Sequence, residues 1–390
     1  MRAILAGLML CGAAAGGRAE PEVPAPPMGW MTWNLFGVDI HEEGLRRVAD
    51  AMVESGMAEA GYTYLYIDDG WQGGRDKRNN IIPDPEKFPS GMKALADHLH
   101  QRGLKLGIYS DGGQLSCAGY TASYGFEEQD AKTFASWGVD YLKYDYCNAP
   151  QNKEAANARF KAMGDALRKS GRDIVFAVCC QVHLEPWKWG RAVGAQLWRT
   201  GPDSRDKWKN IVYVINCNAG LHEYAGPGGW NDMCMLSVGM HGEGATPWIK
   251  GTGCTGIEYR TQMSIWCMMA APLTASCDLL NMSETTKRIL MNKELIAVNQ
   301  DQLGKQAVRE VNTGALNVFV KPLSNGDHAV AILNLGKTPK DFKVDFAGIG
   351  LPGRYKIRDL WKHEAAGSGA SWQGNVRSHE TKVFRLSKMP

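Results

Sequence analysis

Four stretches of the sequence end in polar side chains that could act together. Asp68 and Asp69 close TYLYIDDGW, Tyr109 and Asp111 close LKLGIYSD, Lys143 and Asp145 close VDYLKYD, and Arg199 followed by Asp203 closes QLWRTGPD. In an extended strand residues two apart share a face, so Lys143 and Asp145 point one way while Leu142, Tyr144 and Tyr146 point the other. One such pair alone reads equally well as a solvated, mutually neutralising ion pair. A single Asp after a strand is usually a turn or a helix cap. Four polar endings in series describe a pocket with several carboxylates, one lysine and one arginine beside the aromatic residues Trp33, Trp71 and Tyr109. That set suits glycoside hydrolysis, in which one carboxylate attacks or activates water and another protonates the leaving group.

Other chemistries fit less well. Nothing in the sequence sets His or Cys at metal-ligand spacing, and Lys143 beside Asp145 would repel a cation held by an oxygen cage, so no metal and no cofactor is expected. There is no GxSxG elbow, which leaves His183 and His222 as structural residues. No GxGxxG or Walker pattern opens a helix, against a nucleotide site. The chain has 44 basic and 41 acidic residues for a net charge of +3, with no long run of one sign, so nucleic acid is not an expected partner. The 13 Trp and 13 Tyr suit stacking on sugar faces, although most Trp in any chain is core.

The elements that must position these side chains alternate. Strands are predicted over 28–33, 63–69, 104–111, 139–145, 173–178 and 196–200, and helices over 42–55, 89–102, 127–137 and 154–170. Strand and helix in repeated alternation give a parallel (β/α)8 TIM barrel over 20–302, with a doubly wound open sheet as the alternative. Beyond Leu303 the texture changes to short alternating runs separated by Gly, Asn, Pro and Ser, predicting a C-terminal antiparallel β-sandwich over 303–390 with a structural role. The first residues, MRAILAGLMLCGAAAGGRAEPEV, read as a secretory signal over 1–19, cleaved near Ala19 and too short for a membrane span. Cys11 is discounted as a lipid site because Leu10 precedes it. A secreted or periplasmic location follows, and removing Cys11 from the ten cysteines leaves an odd number, hence at least one free thiol.

The motifs PPMGWMTWN (26–34), YLYIDDGW (64–71), KLGIYSDGG (105–113), CAGY (117–120), WGVDYLKYDYCN (137–148), WRTGPD (198–203), GPGGWNDM (226–233), MMAAPL (268–273) and NQDQLGKQ (299–306) follow one another in order. The chain resembles glycoside hydrolase family 27, the α-galactosidases and α-N-acetylgalactosaminidases, from about Pro26 to its C-terminus. The resemblance implies a retaining exo-hydrolase that releases terminal α-linked galactose from oligosaccharides or glycoconjugates by double displacement. It assigns Asp145 as nucleophile and Asp203 as general acid/base, with carboxyl groups roughly 5 to 5.5 Å apart. Lys143 should then keep Asp145 ionised, whereas Asp203 needs a raised pKa to hold its proton.

The same resemblance places Asp68 and Asp69 on the sugar 4- and 6-hydroxyls, Lys143 on the 3- and 4-hydroxyls, Arg199 toward the 2-position, and Trp33 on the apolar ring face, with Tyr109 also lining the site. It pairs Cys117 with Cys147 in a disulfide that clamps the loop aiming Asp145. Two segments depart from the family. Where relatives commonly read CEW, this chain has Cys179, Cys180 and Gln181; where they read WNDPD, it has Asp232, Met233 and Cys234 after Trp230 and Asn231. Cys180, Gln181 and Cys234 thus fall where the 2-substituent or the leaving group is recognised. α-N-Acetylgalactosaminidase and β-L-arabinopyranosidase are the alternatives within the family. A non-catalytic sugar-binding module is the alternative outside it, and would require loss of Asp145 or Asp203. Asp68, a carboxylate of the length that serves a hexose 6-hydroxyl, favours galactose over L-arabinopyranose. Cys180 opens space at the 2-position while Leu184 closes it, and galactose remains the expected sugar. A homodimer is left open.

Overall fold

The strands of the larger sheet are apolar or aromatic at nearly every position and buried on both faces, as a parallel sheet covered by helices requires. The computed structural model describes residues 22–390, so the signal segment 1–19 and Cys11 lie outside the described residues. Eight strands run parallel: β1 (Met28–Met31), β2 (Tyr64–Tyr66), β3 (Lys105–Asp111), β4 (Tyr141–Asp145), β5 (Val175–Val178), β6 (Leu197–Arg199), β7 (Trp230–Asp232) and β8 (Leu273–Ala275). They pair in chain order, and β8 pairs back onto β1. Leu236 N donates to Thr274 O at 2.8 Å beyond the end of β7, bringing the remaining gap together. This is the predicted (β/α)8 barrel.

The helices form where apolar residues recur at helical spacing. Glu42–Glu54 buries Leu45, Val48, Ala49 and Met52; Gly91–Gln101 buries Met92, Leu95, Ala96 and Leu99. Lys153–Lys169 starts at Asn152, whose side chain accepts from Ala155 N, and Glu127–Trp137 stops at Gly138 in the left-handed region. Among the described residues no helix is long and apolar enough to cross a membrane.

Side chains fill the barrel rather than leaving a pore. Tyr64 and Tyr66 stack at 5.4 Å between ring centroids, and Tyr141 meets Tyr66 edge-on at 4.7 Å. Gly107 permits this, because a Cβ there would lie 2.3 Å from the Tyr66 ring. The tyrosine plug, with Met31, Ala177 and Leu197, forms the floor on which the polar strand ends stand.

Three elements differ from expectation. The strand predicted to reach Trp33 stops at Met31, because Thr32 turns helical and Trp33 opens the short helix Trp33–Phe36. Trp71 is no pocket wall: it is fully buried behind β3, bonded to Tyr109 O at 2.9 Å and packed edge-on against Phe134 and Trp137. The helix Gly256–Met268 had no periodic signal, since it is buried on nearly every face between the barrel and the C-terminal sheet. A Thr255–Glu258 capping box starts it.

The C-terminal part is antiparallel: six strands form one sheet, and Lys340–Asp345 pairs with Ser371–Val376 in another. Alternation explains its attachment. Along Leu316–Pro322 and His328–Asn334, Val318, Val330 and Ile332 face the sandwich core with Phe342 and Phe384, whereas Phe319, Ala329, Ala331 and Leu333 belong to the barrel's core.

Candidate active site

Each predicted side chain sits at the carboxyl end of its strand. Tyr109 pairs with Lys143 and Asp111 with Asp145 across β3 and β4, and Arg199 pairs with Asp232 across β6 and β7. After β2, the backbone turns so that Asp68 N donates to Thr32 Oγ1 at 2.9 Å, and Asp69 N to Asp68 Oδ1 at 2.9 Å. Ala118 N, in the loop after β3, holds Asp69 Oδ2 at 2.8 Å. Two nearly buried carboxylates are thereby fixed side by side.

Lys143 joins them to the centre. Its ammonium donates to Asp68 Oδ2 at 2.7 Å, lies 3.8 Å from Asp145 Oδ2 and sits 5.1 Å above the Tyr109 ring. On the far side Arg199 Nη1 donates to Asp203 Oδ1 at 2.8 Å, while its Nε stands 3.7 Å from Asp232 Oδ2 and has no hydrogen-bond partner among the described residues. A cavity of about 20 Å³, room for roughly one water, lies between these groups and the tyrosine floor, lined by Lys143, Cys179, Arg199, Asp232 and Cys234.

The charges depart from expectation. Burial pushes the Asp145 carboxyl above its ordinary value, and the nearby positive charges of Lys143 and Arg199 offset this only in part. For Asp203 burial also acts upward, but the charges of Arg199 and Lys143 and the Arg199 hydrogen bond outweigh it and hold the carboxyl below the usual range. Lys143 therefore does not by itself keep Asp145 strongly acidic, and free Asp203 does not have the raised pKa of an acid. The physical reason is that Arg199, four residues before Asp203, turns back onto it, while Asp145 lies deeper, with 16% of its side chain exposed against 61% for Asp203.

The disulfide between Cys117 and Cys147 is present, with Cα atoms 5.1 Å apart, and joins the loops after β3 and β4. Cys179 and Cys180 are buried free thiols. Cys180 lies at the end of β5, close enough to Asp145 and Arg199 to feel their charges, while Gln181 is exposed beside it. Cys234 takes a left-handed conformation (φ 69°), and its Sγ accepts from Ser204 N at 3.3 Å, so it holds the residue next to Asp203. Trp33 is half-buried, packed on the cluster of Met31, Cys234 and Met235. The sequence reading left Cys179 and Asp232 out of the site. Asp232 was legible as one more Asp closing a strand, but the strand itself, three residues long, gave little signal.

A family model described as "Alpha galactosidase A" matches residues 25–301, and one described as "Alpha galactosidase C-terminal beta sandwich domain" matches residues 313–386. The chain belongs to the α-galactosidase family, glycoside hydrolase family 27. It is 43% identical to α-galactosidase A of Cellvibrio japonicus, over 98% of this chain and 97% of that protein. To the α-galactosidase of Cyamopsis tetragonoloba it is 42% identical, over 93% of this chain and 86% of that one. The crystal structure of α-galactosidase I from Mortierella vinacea is similar with a TM-score of 0.88 at 34% identity, covering 94% of this chain and 97% of that chain. The family's order of motifs thus coincides with the strand ends that build the pocket.

Proposed function

We propose that this chain releases terminal α-linked galactose with retention at the anomeric carbon, using Asp145 as nucleophile and Asp203 as general acid/base. The observation that carries the reading is the placement of Lys143 between Asp68 and Asp145, with Asp203 across the same barrel mouth on Arg199. Asp68, Asp69 and Lys143 form one polar wall suited to the 3-, 4- and 6-hydroxyls. Trp33 offers an apolar face to the ring, and Tyr109 supports Lys143 from below.

The charges of the free site fit the reaction once substrate enters. Arg199 directed toward the sugar 2-hydroxyl leaves Asp203, and burial then acts on that carboxyl with less opposition, raising its pKa so that it carries a proton. An oxygen of Asp145 bonds to the anomeric carbon as the glycosidic C–O bond breaks, and the proton of Asp203 passes to the departing oxygen. In the second half Asp203, now a carboxylate, takes a proton from water. The water oxygen bonds to the anomeric carbon, the bond to Asp145 breaks, and galactose leaves with its original anomeric configuration.

Galactose is favoured at the 2-position because Leu184, buried four residues after Cys180, is a bulky side chain that would limit room for an acetyl methyl. Cys180, Gln181 and Cys234 are the positions assigned to this discrimination and to the leaving-group side. The segment 1–19 is proposed to direct export, giving a secreted or periplasmic enzyme with its barrel over 20–302 and its sandwich over 303–390. The test is turnover of p-nitrophenyl α-galactoside with NMR detection of the first-formed anomer, beside the α-N-acetylgalactosaminide and the β-L-arabinopyranoside. An inverted first product removes the double displacement, and a higher kcat/KM for either other glycoside removes the sugar assignment.

A further inference from the structure

One strand away from Asp145 stands a carboxyl that this reaction does not use. Asp111 is opposite Asp145 in the β3–β4 ladder and fully shielded from solvent. Its oxygens are bound to backbone: Oδ1 accepts from Gly113 N at 2.6 Å and Oδ2 from Cys147 N at 3.0 Å. Those N–H groups belong to the two loops that the Cys117–Cys147 disulfide joins. The Tyr109 hydroxyl lies 3.4 Å from the same Oδ2, and Gly112 N, the next residue along, holds Asp145 O at 2.9 Å. Ligand atoms of Asp111, Asp145, Cys117 and Cys147 all lie within 4.8 Å of one another. With the two sulfurs bonded together, this cluster is a clamp.

We propose that Asp111 is a positioning residue for Asp145: it ties together the two strand ends beneath the nucleophile and, as the uncharged member of the pair, leaves the negative charge to Asp145. This rests on the assignment of Asp145 made above. Two carboxyls this close do not both ionise cheaply, so their surroundings decide which keeps the proton. Lys143 at 3.8 Å, together with Arg199, favours the charge on Asp145. Asp111 instead neighbours Asp69 and Asp145 and the rings of Tyr109, Tyr144 and Tyr146, while the Arg159 guanidinium is bound to Gly112 O at 2.6 Å. Burial first, and then the charge of Asp145, push the Asp111 carboxyl up to about 7. The neutral acid retains lone pairs for both backbone N–H groups, so the clamp survives protonation. As pH rises through about 7, Asp111 gains a charge, the two carboxylates repel, and kcat/KM falls.

Two substitutions in the full chain test this. Asp111→Ala removes the clamp and is expected to lower kcat for p-nitrophenyl α-galactoside about 10- to 100-fold with little change in KM, since small displacements of a reacting group cost rate rather than binding. Asp111→Asn preserves the shape without ionising but has a single acceptor oxygen, so it holds one of the two backbone N–H groups; it recovers only part of the lost kcat, and it abolishes the fall of kcat/KM near pH 7. If Asp111→Ala fails to fold, the pH profile of Asp111→Asn decides alone. A profile that still falls near pH 7 in Asp111→Asn, or a wild-type profile with no fall there, overturns the proposal. Labelling with a 2-deoxy-2-fluoro-α-galactosyl fluoride separates it from the reading on which it rests. A label on a residue other than Asp145 overturns the nucleophile assignment; a label on Asp145 formed as fast in Asp111→Ala as in the wild type overturns the role of Asp111 alone.

Discussion

Lys143 donates its hydrogen bond to Asp68, at 2.7 Å, and stands 3.8 Å from Asp145. On the proposed assignment the lysine is anchored by the carboxylate that binds the sugar and acts on the nucleophile by its field. Sugar binding and nucleophile charge are, on that same assignment, coupled through one ammonium.

Lys143→Met should therefore damage both functions. It leaves Asp68 buried without its cation, and it removes one of the charges that lower the pKa of Asp145. The Asp145 carboxyl rises further, so it ionises at higher pH. The expected result is a loss of kcat/KM of about 100-fold or more, with the acid limb of the pH profile displaced to higher pH. An unmoved acid limb would mean that Lys143 serves binding only.

Asp145→Ala and Asp203→Ala should differ in how they depend on the leaving group. Without Asp145 no glycosyl-enzyme forms, and turnover of every substrate is abolished. Without Asp203 an aglycone that departs without protonation, such as p-nitrophenol, is released far faster than one with a basic oxygen. For an alkyl galactoside the loss should approach about 10²- to 10⁴-fold. Steady-state rates on an aryl and an alkyl α-galactoside measure the difference; equal losses for Asp203→Ala argue against the acid role.

How much of this was legible in the sequence depends on which interactions were local. Lys143 and Asp145 share a strand face by the alternation of the chain alone, and the polar endings of β2, β3, β4 and β6 could be read the same way. The helix Gly256–Met268 could not, because burial on nearly every side erases the periodicity that marks an amphipathic helix. The opposite pKa shifts of Asp145, raised, and Asp203, lowered, were equally hidden. They depend on depth in the barrel mouth and on Arg199 turning back onto Asp203, and neither is a property of residue type or spacing. Trp71 misled for a similar reason: the type suits a sugar platform, but the turn after β2 buries it against Phe134 and Trp137.

Cys147→Ser should weaken both fold and catalysis. The bridge spans 30 residues of sequence, and closing a loop of that length stabilises by about 3 to 4 kcal/mol on the chain-entropy account. Differential scanning calorimetry should show a lower Tm, and kcat should fall because the loop after β4 loses its covalent tie beside Asp145, the proposed nucleophile. An unchanged Tm together with an unchanged kcat would show that the Asp111 hydrogen bonds suffice to hold this loop.

Far from the site, Lys321 gives the protein a stability that rises in alkali. Its side chain is fully buried where the C-terminal sheet meets the barrel, and its ammonium has no hydrogen-bond partner among the described residues. Burial, only partly offset by Cys267 and Asp301, lowers its pKa from 10.5 to about 8. A lysine whose pKa is lower folded than unfolded costs stability wherever both states are protonated. That penalty is complete below about pH 8 and disappears as pH rises toward the unfolded value. The difference of about 2.5 units corresponds to about 3 kcal/mol. Lys321→Met keeps much of the volume and removes the charge, and should raise stability at pH 7 by about that amount while flattening the pH dependence between 8 and 10.5. Chemical denaturation of both proteins across that window measures it. Equal stability gains at pH 7 and at pH 10.5 would show that packing, and not the buried charge, is what the substitution improves.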